Sequence, residues 1–195
     1  TRSGRSGNGI RMRAFRTACQ CACMWATGHI HSTRASCTGM KLAALRPTVI
    51  TAFNTAQTVV LSTEQVQALT QTQVASISVD NLVAMKTTQI EAFETQDIAA
   101  LTALQVSSLT TTQLQAITTD QISAIESRDL ITMTENQVAS MLTDQVIHLS
   151  TEQFSTLQTN QLAALTTVQM GVIETADLVV LSPTQIRAFE ATQLN

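Results

Sequence analysis

The sequence has no tyrosine, one tryptophan and only two prolines. Aromatic residues make up 3% of it, so any core must be built from Leu, Ile, Val, Met and Ala, which the apolar share of 44% supplies in plenty. Charged residues are scarce at 13%. All four cysteines lie before residue 40, and beyond that point the chain offers no thiol for a disulfide, a metal or a nucleophile. Gly171 is the only glycine after residue 40, which argues against an array of strands joined by glycine turns. No stretch holds the 18 or more uninterrupted apolar residues of a membrane span, and the N-terminus has no apolar core of a signal peptide.

The net charge of -3 conceals two unlike parts. Residues 1–46 carry eight basic residues and no acid, whereas the remainder sets Lys86, Arg128 and Arg187 against all 14 acids. The break predicts a boundary near Met40. Residues 1–40 form a basic, Cys- and Gly-containing segment with no apolar periodicity, read as disordered or as a leader that is not native protein, with Met40-Lys41-Leu42 the true start. Position 1 is not methionine and the repeats stop mid-unit at Asn195, as in a fragment of an open reading frame. Cys19, Cys21, Cys23, His29, His31 and Cys37 are metal-ligating types. Their alternating spacing departs from the two to four residues that separate paired zinc cysteines, and no metal is assigned to them.

From Phe53 onward an eight-residue unit recurs without interruption, with a degenerate lead-in over 41–52. Counted from Leu61 to Phe189, the first position is a large apolar residue in all 17 units, and so is the sixth, from Val66 to Leu194. The fifth is Gln in 13 units, Asp at 97, 129 and 177, and Asn at 81. The second is commonly Ser or Thr.

A continuous helix cannot carry this pattern. Eight residues advance about 80° beyond two turns, so the apolar stripe would spiral off any core. A single strand fails too, because the first and sixth positions have opposite parity. A helix start fits. Ser or Thr at the second position and Gln at the fifth form a capping box, and the first and sixth positions are the two ends of a hydrophobic staple. Pro47 and Pro183 both fall at the third position, the first helical residue, where a missing amide hydrogen costs nothing. The reading is therefore all-α: one short capped helix per octad, stacked as a solenoid, because isolated helices this short are not stable in water. In the three Asp units Glu94, Glu126 and Glu174 hold the second position, and Thr95, Ser127 and Thr175 are expected to take over as N-caps, with the Asp at the second helical residue.

The motif in Leu61-Ser62-Thr63-Glu64-Gln65, Leu109-Thr110-Thr111-Thr112-Gln113 and Leu165-Thr166-Thr167-Val168-Gln169 is similar to the LTxxQ signature of Spy-like periplasmic chaperones. That likeness reads as a shared way to start a helix. The chain more closely resembles the tandem LTTxQ(V/I)xAL arrays of bacterial, adhesin-like or uncharacterised open reading frames, over residues 53–195. The resemblance implies a bacterial surface or secreted location and carries no functional residue with it.

Function classes follow from what the octad leaves over. Catalysis needs converging titratable groups in a pocket. The array has one histidine, His148, at a position that is usually small, and its acids are scattered. No enzyme, no cofactor, no metal and no small-molecule substrate is expected. The array's net charge of about -11 argues against nucleic acid, while protein partners or self-association stay open. The leading expectation is a structural or adhesive array serving as stalk, spacer or filament segment. The alternatives are a solenoid that binds protein and an expanded repeat with no dedicated partner.

Overall fold

The structure is a computed structural model and describes residues 40–189. The segment before Met40, with its cysteines and arginines, lies outside the described residues. So do the last residues of the final octad.

Every described element is a short helix of four to six residues. In each regular unit the second residue is extended and caps the helix that follows. Thr110, at φ -70° and ψ 156°, precedes Thr111–Ala116. Thr118, at φ -72° and ψ 165°, precedes Thr119–Ala124. Where the cap is Ser or Thr, its hydroxyl accepts from the amide of the fifth residue at 3.2–3.3 Å. Both prolines stand at the helix starts, in Pro47–Ile50 and Pro183–Ile186.

The helices wind into a superhelix. Each packs against the helices three units before and after it, as Thr119–Ala124 does against Thr95–Ala99 and Thr111–Ala116 against Thr87–Glu91. Side-chain hydrogen bonds between turns join residues 25 to 31 positions apart, so one turn takes between three and four octads. The first and sixth positions point inward and form one continuous apolar core from Leu45 to Phe189. Leu82, Leu114, Ile122, Leu130, Phe154 and Leu162 at the sixth position are fully buried. This is the solenoid of capped helices that the octad pattern predicts. Met40–Ala43 and Pro47–Ile50 stack into it, with Leu45 and Ile50 in the core. Thr58 occupies a sixth position that should be apolar. It is buried all the same, its hydroxyl donating to the Asn54 carbonyl at 3.1 Å.

The staple weakens in the last described turn. Met170 is half-buried, and Leu178 and Ile186 are exposed. The sixth position faces the turn that comes after it, and few described residues lie there.

Gly171 closes the helix Thr167–Met170 in an ordinary right-handed conformation, φ -65° and ψ -14°. A methyl group added there would meet the Val168 and Thr167 carbonyls at 3.5 and 3.6 Å, ordinary contact distances. Gly171→Ala should therefore stabilise the fold by roughly 0.4–1 kcal/mol, by restricting the unfolded chain. A urea titration reads this directly; a loss of stability would contradict the assigned backbone.

Candidate functional site

The residue that organises the surface between turns is the fifth of the octad. Its local role is the one the capping box requires: the Gln Oε1 accepts from the N–H of the cap residue at 2.8–3.0 Å. This bond persists where the cap is not Ser or Thr, at Lys86, Leu142 and Gln158. Glutamine is thus the constant half of the box.

The same side chain has a second task. Its Nε2 donates to the carbonyl 28 residues earlier, a first-position residue of the previous turn, at 2.5–2.9 Å. In most units it also donates to the sixth-position carbonyl 31 residues earlier, at 2.8–3.2 Å. A polar side chain with both ends satisfied can be buried at little cost, and Gln145, Gln161 and Gln73 are as buried as the core leucines. Each Gln starts its own helix and ties it to the turn before.

The exceptions separate the two tasks. Asn81 is one methylene shorter. Its Nδ2 reaches the Phe53 carbonyl at 2.8 Å, but its side chain makes no bond to its cap's N–H. Asp97 does the reverse. It accepts from the Glu94 N–H at 3.2 Å and has no N–H to offer the previous turn. Asp129 does neither: its only printed partner is Arg128, whose Nε lies 3.9 Å from Oδ2, beyond hydrogen-bond distance. Asp97, Asp129 and Asp177 are all buried.

The structure corrects the capping expected in these units. Glu94, Glu126 and Glu174 are the N-caps, and Thr95, Ser127 and Thr175 are the first helical residues. The core sets this register. Moving the helix start forward by one residue would take Ile98 and Leu130 out of the staple position, where both are buried.

Burial perturbs two of these acids. Asp97 is raised from 3.8 to about 6, chiefly by loss of water, with the Glu94 N–H pulling down and the Glu94 carboxylate pushing up. Asp129 is also raised, again mainly by burial, with Arg128 opposing and Glu126 adding to the rise. A carboxyl raised in the fold holds a proton that the unfolded chain has already released. The stability due to Asp97 is therefore present below 3.8 and lost as pH rises through about 6. Asp97→Gln supplies the missing donor and should gain about 1–2 kcal/mol near neutral pH. It should also flatten the pH dependence. Denaturant melts at both ends of that window test this, and an unchanged slope would refute the assignment.

Asp129 lines a cleft of about 630 Å³ together with Gln71, Gln96, Leu101, Glu126 and Arg128. Arg128 is mostly exposed and pairs with the Glu126 carboxylate. Elsewhere His148 is exposed, with Nδ1 against the Asp144 carbonyl at 2.7 Å. Among the described residues no cluster of His, Cys, Asp or Glu is large enough to hold a metal ion. No helix there is long and apolar enough to cross a membrane.

Sequence reasoning found the capping role of the fifth position and missed its reach to the previous turn. The signal was present. A capping box accepts Glu as readily as Gln, yet not one of the 17 units uses Glu there. Only a need for an N–H donor explains that choice.

No curated protein and no solved structure matches the chain. Two of its segments, residues 42–71 and 90–124, match the family model of the ALTTAQ repeat, to which the chain is similar there as a tandem repeat protein.

Proposed function

We propose that the array is a structural or adhesive element, a stalk, spacer or filament segment of a bacterial surface or secreted protein, without catalytic activity. The observation that carries this reading is the use of the octad's polar residues. The fifth-position amides, which in another fold would be available to ligands, are spent on holding successive turns together. What remains outward is mostly Thr, Ser, Gln and Ala. Large exposed apolar residues such as Leu104, Leu142, Val168 and Val179 stand at differing octad positions and in separate units. They do not supply the clustered aromatic and Arg anchors of a strong protein-binding site. A scaffold that adds a fixed rise with each turn suits a spacer.

Immunogold labelling of intact cells of the producing organism, with antibody raised against the folded chain, tests the location. Surface label is expected; label that requires permeabilised cells would overturn the surface reading. Small-angle scattering tests the shape, with a rod-like profile expected for residues 40–189.

A further inference from the structure

The unit of Asp129 leaves a gap in the pattern that the other units define. By that pattern the fifth residue of this unit faces the carbonyls of Leu101 and Ile98, 28 and 31 residues earlier. In the regular units these two carbonyls share a Gln Nε2, as Leu109 and Val106 share that of Gln137 at 2.8 and 3.0 Å. Asp129 has no N–H to give. Among the described residues the Leu101 carbonyl receives no hydrogen bond, and that of Ile98 receives only short-range backbone donors from its own helix end. The Asp129 carboxylate is itself 95% buried, being 5% exposed, and accepts no hydrogen bond. Three acceptors thus converge with no donor between them.

Asp97 presents the same kind of substitution, but its carboxylate is held by the Glu94 N–H and it does not line the cleft. Asp129 does, and so does Leu101. The charged side chains on the cleft wall are Glu126, Arg128 and Asp129, which sum to one negative charge.

We propose that this cleft binds a primary ammonium group, whose three N–H bonds go to the Asp129 carboxylate and the Leu101 and Ile98 carbonyls. The ammonium stands where the Gln amide nitrogen stands in the regular units, and it adds the positive charge that a buried carboxylate lacks. A primary amine matches an acceptor set that a quaternary ammonium, having no N–H, does not.

Methylammonium chloride is the probe. Titrated into the ¹⁵N-labelled full chain, it should give saturable shifts confined to the backbone signals of 98–103 and 126–130. Tetramethylammonium, sodium and potassium chlorides at matched ionic strength should give none. Asp129→Gln should fold, fill the gap with its own amide and weaken binding by roughly tenfold or more, the loss expected for one charge-assisted hydrogen bond. Absence of saturable shifts, equal shifts with tetramethylammonium or the alkali cations, or undiminished binding to Asp129→Gln would each overturn the proposal.

Discussion

Gln145→Glu should destabilise the array by about 3–4 kcal/mol, more than Gln145→Leu, at about 2–3 kcal/mol. Gln145 is 1% exposed. Its Oε1 accepts from the Leu142 N–H at 2.9 Å, and its Nε2 donates to the Leu114 and Ile117 carbonyls at 2.8 and 2.7 Å. Leucine removes all three bonds and leaves the carbonyls without a donor. Glutamate keeps the first bond, because a carboxylate serves a capping box as well as an amide does. It loses the other two and sets a negative charge against two carbonyl oxygens in a buried place, which costs more than simple deletion. The order of the two variants is the diagnostic result. If the fifth residue only started helices, Glu would behave like the wild type. Acid should rescue the Glu variant, since a carboxyl raised by burial regains a proton, and with it a donor, as pH falls. Urea unfolding of the three proteins at neutral and mildly acidic pH measures both effects. A Glu variant as stable as wild type at neutral pH would remove the turn-to-turn bond from the list of forces holding the fold.

Leu109→Asp is the second large effect, at about 4–5 kcal/mol, because it places an unpaired charge in the core. Leu109 is 4% exposed and staples the start of Thr111–Ala116. The damage should spread through space rather than along the chain. That helix packs on Thr87–Glu91 below and Glu135–Ser140 above. Amide hydrogen exchange should therefore quicken first in these three helices, while Thr63–Gln67 and Pro183–Ile186 keep their protection. A uniform loss across all the described helices would mean that the array melts as one body, contrary to a stack in which each turn contacts only its neighbours.

The sequence carried the local half of this architecture and little of the rest. The first and sixth positions could be assigned to the core because a hydrophobic staple is complete within six residues. The prolines could be placed because their constraint is confined to one residue. The second bond of Gln was out of reach because its partners, such as Leu114 for Gln145, are 31 residues away, and pairing them requires knowing how many octads make a turn. The caps at Glu94, Glu126 and Glu174 were misassigned for a related reason. Local preference favours Thr or Ser as a cap, but the burial of Ile98 and Leu130 fixes the frame, and a core contact outweighs the difference between two caps. The cleft at Asp129 was invisible for the same cause. In sequence Asp129 is one residue exchanged for another; its meaning lies in the Leu101 carbonyl it fails to meet.

The direction of the glutamine bonds has a consequence for how such a chain is made. In every regular unit the donor lies on the later residue and the acceptors lie 28 to 31 residues earlier. A ribosome delivers the acceptor first. Each octad, as it leaves the exit tunnel, finds the turn it must bind already laid down, and waits for nothing downstream to complete that bond. The span to be closed is the same for the last octad as for the first. Lengthening the array therefore adds no slower step to its folding, where a sheet that must pair its distant ends would pay an increasing entropy of closure.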